Sequence, residues 1–198
     1  MTNATPGGGV RHACAVNERA LQGQRDRVVA LRALRHEDIG PYLAAFADDP
    51  GLAVALGTDA PTAEGLARRV DATPQAGATV HAAAIADAAT DAFAGVAMMH
   101  HLEAEHARGE VGFWVVPGAR RRGLAEHAVG LLIGWAFAEL GLERIELTTT
   151  PENGAAAALA GKLGFTREGV LRSRDVEFGR RVDIVWFGLL RDEWAWRP

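Results

Sequence analysis

Cysteine is nearly absent from this sequence, because Cys14 is the only one among 198 residues. A single cysteine cannot form an intramolecular disulfide, which favours a reducing compartment, and we expect a cytoplasmic protein. No segment approaches the roughly 20 consecutive apolar residues that a transmembrane helix needs. The N-terminal residues also lack the apolar core of a secretion signal. The sequence therefore predicts neither a membrane span nor an exported, disulfide-stabilised domain.

An excess of positive charge is missing as well. The chain has 21 Lys and Arg residues against 25 Asp and Glu residues, so its net charge is −4. Sequence-independent attraction to nucleic acid needs a basic surface, and we therefore expect no nucleic-acid partner. What the chain does have is a hydrophobic fraction of 48% and a charged fraction of 23%, the balance of a globular protein that buries a core.

The first 27 residues differ from the rest of the chain. They contain Pro6 and the glycine run 7–9, with no sustained apolar periodicity, and we predict a flexible leader over 1–27. The remaining residues, 28–198, are predicted to form a single domain. Periodicity and turn residues predict strands over 28–34, 79–85, 92–101, 111–116, 144–149, 168–176 and 182–190, and helices over 39–46, 62–71, from Leu124 towards Gly141, and over 154–163.

These elements contain a strand–helix–strand unit in the middle of the chain and a hairpin on each side of it. Strands outnumber helices, and their order does not alternate regularly with helices as it does in a purely parallel sheet. The pattern predicts an α/β (α+β) fold, in which helices cover a mixed sheet.

The segment after the central strand has a specific chemical use. Pro117 and Gly118 end the strand, and an arginine-rich turn with Gly123 leads into the apolar helix. The first N–H groups of a helix lack partners within it and lie at the positive end of its dipole, so they can bind phosphate oxygens. Gly123 allows the backbone to approach such a ligand closely. The segment therefore predicts a phosphate or pyrophosphate site.

Three motifs in order carry a family resemblance. Arg120, Gly123 and Ala125 form R-x-x-G-x-A after a strand, Asn153 follows the next strand, and Lys-Leu-Gly-Phe at 162–165 ends the following helix. This order resembles the GCN5-related N-acetyltransferase (GNAT) superfamily. Within it the chain is most similar to the ribosomal-protein N-terminal acetyltransferases of the RimJ/RimL type. That similarity covers about 28–194 and includes residues 31–32, 109–115, Glu126, Ala128 and 193–194.

The resemblance implies a mixed, mostly antiparallel sheet whose central parallel strands splay apart. It also implies acetyl-CoA as acyl donor, with no metal. The pantetheine arm would run between the central strand and the strand 144–149, and Arg120 would neighbour the phosphates, whereas Arg121 is a cofactor contact or only a solvated charge. The backbone amides that would hold the pyrophosphate are those of Arg122, Gly123, Leu124 and Ala125.

Acyl transfer to an amine needs a base and a donor for the acyl oxygen. Glu110, near the start of the central strand, is the candidate base, the alternative being a strand-edge glutamate in solvent. A backbone N–H of Val115 or Val116 could face the acyl carbonyl if the strand bulges there. Asn153 either bonds the pantetheine or a strand carbonyl, or simply caps the helix that follows it.

The general acid is not apparent. Ala156 stands where the RimL-type branch commonly has a serine, and Tyr42, the only tyrosine, is distant in sequence. His100, His101 and His106 are residue types that bind metals, but they lack the i, i+4 histidine pair of a metalloprotease helix. We therefore interpret residues 100–106 as a polar loop beside Glu110.

These features together predict direct transfer of an acetyl group to a primary amine in a ternary complex. The acceptor would be a protein or peptide N-terminus or a small amine, bound by residues 48–61, the helix at Thr62 and the hairpin tip at 178–181. Two alternatives are an acyl-CoA sensor without turnover, and a succinyl-CoA donor met by Arg180 or Arg181. An edge strand in the last hairpin and apolar residues near 194–196 would allow a homodimer.

Overall fold

The computed structural model describes residues 21–49, 51–52, 60–72, 80–177 and 179–198. Most of the predicted acceptor loop 48–61 lies outside this set. In the described part, seven strands form one sheet: β1 (Val29–Arg32), β2 (His81–Asp87), β3 (Phe93–Glu103), β4 (Arg108–Val115), β5 (Arg144–Thr149), β6 (Thr166–Glu177) and β7 (Arg180–Leu190). Their order across the sheet is β1-β2-β3-β4-β5-β7-β6.

Neighbouring strands are antiparallel except for one central pair. β4 and β5 run parallel, because the helical connection between them carries the chain back to the end of the sheet at which β4 begins. The predicted fold class, a mixed and mostly antiparallel sheet flanked by helices, is confirmed. β4 begins at Arg108, three residues before the predicted start, so the connection from β3 is only a short turn.

Four α-helices are described: α1 (Ile39–Asp48), α2 (Ala63–Asp71), α3 (Leu124–Trp135) and α4 (Gly154–Lys162). Thr62 caps α2, because its hydroxyl oxygen accepts the Gly65 N–H at 3.1 Å. A π-helical turn, Ala136–Leu140, extends α3, and Gly141 at φ 67° ends it in the left-handed conformation that glycine adopts without strain.

Hydrophobic residues pack on both faces of the sheet. On one face α3 and α4 cover a large core that includes Val111 and Val115 of β4. On the other, α1 and α2 cover a smaller core around Trp114, which Tyr42 and Phe46 contact edge-on with ring centroids 4.8 and 5.5 Å away. Successive β4 side chains point to opposite faces, so Glu110 and Gly112 share the Trp114 face.

The N-terminal boundary differs from the prediction. Residues 21–27 belong to the predicted leader, yet Leu21 is fully buried in the larger core. The Asp26 carboxylate accepts the N–H groups of Val28 and Val29 at 2.6 and 2.9 Å, and it pairs with His127 of α3 at 2.6 Å. This segment therefore packs as part of the domain, and residues 1–20 lie outside the described part.

The C-terminal tryptophans also differ from the expectation of an exposed apolar patch. Trp194 and Trp196 stack with ring centroids 6.0 Å apart and pack against the larger core. A Cβ at Gly130 of α3 would lie 2.7 Å from the Trp196 ring, so only glycine at this position leaves enough space for the ring. Val170, Leu171 and Val176 are exposed on edge strand β6, and a homodimer through this edge stays a prediction.

Among the described helices, none combines the length and the hydropathy that a membrane crossing requires.

Candidate active site

An opening between β4 and β5 lies at the centre of the sheet. The two strands pair over only three positions, Arg108–Arg144, Gly109–Ile145 and Glu110–Glu146. Beyond the last pair, β4 continues to Val115 and β5 to Thr149 without further pairing. The strands therefore splay apart immediately after Glu110, and their facing backbone groups are not used by the sheet.

The amide of Val115 faces this opening. The Val116 N–H donates to Ala94 O in β3 at 2.8 Å, and successive N–H groups along a strand point to opposite sides. The Val115 N–H consequently points away from β3. The β3–β4 register is unbroken from His100–Glu110 to Gly95–Val115, so β4 has no bulge at the position where one could have freed the amide. Divergence of the strands, rather than a bulge, frees the amide.

The arginine-rich turn has the conformation that a phosphate site needs. Gly123 precedes α3 with φ 80° and ψ −8°, and a Cβ added there would meet nothing closer than His127 Cδ2 at 3.8 Å. The constraint on Gly123 is thus conformational, because L-residues rarely adopt this φ. The amides of Leu124 and Ala125 have no carbonyl four residues back within α3, and they lie at the positive end of its dipole.

The three arginines of the turn differ in their contacts. Arg120 donates from Nε to Val115 O at 3.1 Å and pairs with Asp49 at 2.7 Å, so it spans the end of the opening. Arg122 pairs with Asp87 at 2.5 Å. The pKa of Asp87 lies below its ordinary value, because the Ala89 and Thr90 amides and then Arg122 stabilise the carboxylate. Arg121 has no ion pair with any residue that the structure describes.

Glu110 occupies the last paired position before the opening. Its side chain is 13% exposed, and both carboxylate oxygens have partners from different strands. The Thr148 hydroxyl of β5 donates to Oε1 in a short hydrogen bond across the opening, and Oε2 lies 2.8 Å from His101 Nδ1 of β3. The carboxylate is thus half-buried and fixed in orientation, so Glu110 is not the freely solvated strand-edge glutamate of the alternative interpretation.

Two histidines of β3 lie beside this carboxylate. His100 is paired with Glu110 in the sheet register, and its ring centroid is 4.5 Å from that of His101. Burial lowers the pKa of His100 below its ordinary value, although the nearby Glu110 charge opposes the shift. The strand predicted over 92–101 includes both histidines and is confirmed, but β3 continues to Glu103, so residues 101–103 do not belong to the predicted polar loop.

The residues after β5 supply a helix cap at Asn153 but no acidic side chain at Ala156. Asn153 Oδ1 accepts the Ala156 N–H at 3.1 Å, so the asparagine caps α4, as one of its two interpretations requires. Ala156 offers no acidic group. Tyr42, although distant in sequence, packs against Trp114 on the Glu110 face, where it is buried and its pKa is raised by that burial.

Comparison with known proteins identifies the family. The profile of the Acetyltransferase (GNAT) domain matches residues 29–166, which is more than half of the chain. The chain belongs to the GNAT acetyltransferase family. This GNAT protein is 35% identical to the uncharacterized N-acetyltransferase p20 of Bacillus licheniformis over 106 residues, 54% of this chain and 60% of that relative.

Two further similarities agree with the expected RimJ/RimL-type branch. Over 100 residues, 50% of this chain and 55% of the relative, the GNAT protein is 30% identical to the putative ribosomal N-acetyltransferase YdaF of Bacillus subtilis. Its fold matches Mycobacterium smegmatis RimJ in complex with CoA-disulfide, with a TM-score of 0.69, 20% identity and 83% of each chain covered. The matches thus span little more than half the length of the curated relatives.

Proposed function

We propose that this GNAT protein transfers an acetyl group from acetyl-CoA to a primary amine. The observation that carries the proposal is the position of Glu110, a half-buried carboxylate held by Thr148 from across the opening. A sensor without turnover would not need such an oriented carboxylate at the mouth of the cofactor opening, so the arrangement favours an enzyme. Acetyl-CoA supplies the reaction with its acetyl group as an activated thioester.

The residues present fit this donor. The amides of Arg122, Gly123, Leu124 and Ala125 would hold the pyrophosphate, because they surround a left-handed Gly123 at the start of α3. Among the three arginines of the turn, Arg121 would be the one available to pair with a phosphate. Arg120 and Arg122 already form ion pairs with Asp49 and Asp87. The unpaired edges of β4 and β5 would accept the amide-containing pantetheine arm in the opening.

Glu110 would remove a proton from the acceptor amine, directly or through one water molecule. A general base must lie within hydrogen-bond reach of the proton that it removes, directly or through one water. Thr148 fixes the orientation of the Glu110 carboxylate at the edge of the opening, and the side chain is only 13% exposed. The Val115 N–H, rather than that of Val116, would donate to the acyl oxygen as negative charge develops on it.

No side-chain acid is assigned to the departing thiolate. Ala156 cannot supply a proton, and Tyr42 is buried in the smaller core beneath Trp114. A thiol with an ordinary pKa of about 8.5 leaves as a thiolate without protonation at moderate cost, so the reaction does not require an acid. We propose unassisted departure of the thiolate.

The acceptor that we propose is the N-terminal amine of a peptide or protein. This choice is supported by the name of the relative YdaF, a putative ribosomal N-acetyltransferase, and small amines are the alternative acceptors. The N-terminus would approach from the Trp114 face of the sheet, the face on which Glu110 lies and which α1 and α2 partly cover.

Replacement of Glu110 by Gln tests the proposal. The variant keeps the shape and a hydrogen-bond acceptor for Thr148 but lacks a basic carboxylate, so we expect kcat to fall by roughly 10²–10⁴-fold. Acetylation is measured as thiol release over a range of pH, with N-terminal peptides of ribosomal proteins and a panel of small amines as acceptors. We expect the affinity for acetyl-CoA to stay within a few-fold of the parent.

Glu103→Gln is the matched control. Glu103 is the last residue of β3 in the same β3–β4 hairpin. It is exposed and pairs with Arg108 at 2.7 Å, away from the opening. It should retain the parent rate. If Glu110→Gln matches the parent in both rate and pH profile, Glu110 is not the base. If the parent binds acetyl-CoA but releases thiol with none of the acceptors, the sensor alternative replaces the proposal.

A further inference from the structure

β3 is irregular beside Glu110. Its pairing with β4 runs in register to His100–Glu110, and the next pair is Glu103–Arg108. Two residues of β3, His101 and Leu102, therefore oppose the single residue Gly109 of β4, which is a β-bulge. His101 lies at φ 47°, a left-handed conformation that costs a non-glycine residue about 1–2 kcal/mol. Unfavourable backbone conformations of this kind occur preferentially at functional sites.

The bulge changes where the two histidines point. In a regular strand, consecutive side chains point to opposite faces, and only His100 would lie on the Glu110 face. Here the rings of His100 and His101 are adjacent, and His101 Nδ1 is 2.8 Å from Glu110 Oε2. The bulge thus brings two consecutive histidines to one carboxylate.

The resulting group has the composition of a metal site. His100, His101 and Glu110 each offer one ligand atom, and these three atoms lie within 4.8 Å of one another. Two imidazole nitrogens and a carboxylate oxygen are a ligand set that binds Zn²⁺ and leaves a fourth position open. Metal–ligand bonds of about 2.0–2.2 Å at tetrahedral angles place ligand atoms roughly 3.4 Å apart. His101 Nδ1 and Glu110 Oε2, now 2.8 Å apart, would therefore have to separate slightly, and His101 is exposed enough to rotate.

Neighbouring residues support this arrangement. The Thr148 hydroxyl donates to Glu110 Oε1, which orients the carboxylate and leaves Oε2 directed at His101. Such hydrogen bonds to a ligating carboxylate are usual around metal sites. Gly112 provides the space for the His100 ring, because a Cβ at that position would lie 2.9 Å from His100 Nε2.

We propose that His100, His101 and Glu110 form a binding site for a divalent transition-metal ion of the Zn²⁺ class. Occupation of the site would engage the Glu110 carboxylate and withhold it from the acceptor amine, so the metal would act as a reversible inhibitor. The inhibitory role rests on the proposed function, whereas the metal site does not. Residues 100–106 alone do not predict this site, because its third ligand, Glu110, lies in the next strand.

Direct titration tests the site. Full-length, untagged protein freed of metal by a chelator is titrated with Zn²⁺ in competition with a chromogenic chelator, and Co²⁺ serves as a spectroscopic probe. His12 and Cys14 are ligand types outside the described residues, so every protein carries His12→Asn and Cys14→Ser. We expect one equivalent to bind, with affinity at least about tenfold lower in His100→Asn and His101→Asn.

His106→Asn is the matched control. His106 is an exposed histidine at the end of the same β3–β4 turn and is not part of the cluster. It should retain the parent affinity and the parent Co²⁺ absorption spectrum. Absence of binding to the parent, or an affinity that His100→Asn and His101→Asn both leave unchanged, would overturn the site.

Activity is measured separately, with and without saturating Zn²⁺ in each protein. The parent and His106→Asn should lose activity with Zn²⁺ and recover it with a chelator. His101→Asn should respond to Zn²⁺ at least about tenfold less sensitively, whatever its own rate. Binding at the cluster without inhibition of the parent would overturn the inhibitory role but not the site. Failure of Glu110 as base would appear instead in the Glu110→Gln rate measured without metal.

Discussion

The two ends of the opening between β4 and β5 are built from different parts of the chain. At the Glu110 end, side chains of three strands meet: Glu110 of β4, His101 of β3 and Thr148 of β5. At the other end Arg120 donates to Val115 O, but the groups that we propose for the cofactor belong to the backbone, namely the Val115 amide and the first N–H groups of α3 behind Gly123. One end is defined by side-chain identity and the other by backbone conformation.

This difference predicts which substitutions the Glu110 end and the backbone end of the opening should tolerate. Backbone N–H groups bind phosphate whatever side chain they carry, so the cofactor end should be sensitive only where a side chain prevents the required φ. The Glu110 end depends on single polar atoms, so removal of one hydroxyl should matter there. Cofactor affinity and turnover should therefore respond to different residues.

Among substitutions that leave Glu110 in place, the largest expected effect is on the backbone end. Gly123→Val places a β-branched residue at φ 80°, where an L-residue costs about 1–2 kcal/mol or more. We expect the turn to shift and the dissociation constant for acetyl-CoA to rise by roughly 10–30-fold, as 1.4 kcal/mol corresponds to a factor of ten. Isothermal titration calorimetry with acetyl-CoA measures this change.

Gly118→Ala is the control for Gly123. Gly118 lies in the same connection, and an added Cβ would meet nothing within 4 Å. Its affinity should equal that of the parent. Parent-like affinity in Gly123→Val would instead show that the start of α3 does not hold the pyrophosphate, and the distinction between the two ends would be lost.

A smaller effect is expected from Thr148→Val at the side-chain end. Valine keeps the shape of threonine but removes the hydroxyl that donates to Glu110, and a hydrogen bond to a charged group contributes about 1.5–3 kcal/mol. We expect kcat to fall by roughly tenfold with little change in acetyl-CoA affinity. Thr149→Val, at the next position of β5, is the control and should retain kcat. An equal loss in both variants would point to general disruption of β5.

The smallest effect concerns Asn153, which lies beyond both ends. Asn153→Ala removes the cap of α4 and should lower the free energy of unfolding by about 1 kcal/mol. Asn153→Asp keeps the capping oxygen and should preserve stability, but a carboxylate cannot donate as an amide does. We expect a few-fold weaker binding of acetyl-CoA in both variants. Parent affinity in Asn153→Asp would identify the asparagine as a cap only.

Local patterns were sufficient where the deciding interaction is short-range. The strand Arg144–Thr149 has the predicted bounds, and Gly123 and Gly141 have the left-handed φ that their positions next to α3 indicate. Thr62 caps α2 as its residue type predicts. Capping and turn conformations depend on a few consecutive residues, so they can be predicted without knowledge of distant contacts.

Interactions between distant segments produced the discrepancies. Leu21 looks like part of a polar leader until the core that buries it is known, and the free Val115 amide depends on where β5 leaves β4. The ion pairs of Arg120 with Asp49 and of Arg122 with Asp87 also join segments that are far apart in sequence.

The sequence by itself determined the family, the mixed sheet and the glycine turn before α3, because these follow from ordered local motifs and from the periodicity of apolar residues. Only the tertiary structure decided what surrounds Glu110. Thr148 reaches it from the neighbouring strand and the two histidines reach it through a bulge, and neither contact has a signature in any one segment. Strand register, which fixes both contacts, is a property of the assembled sheet.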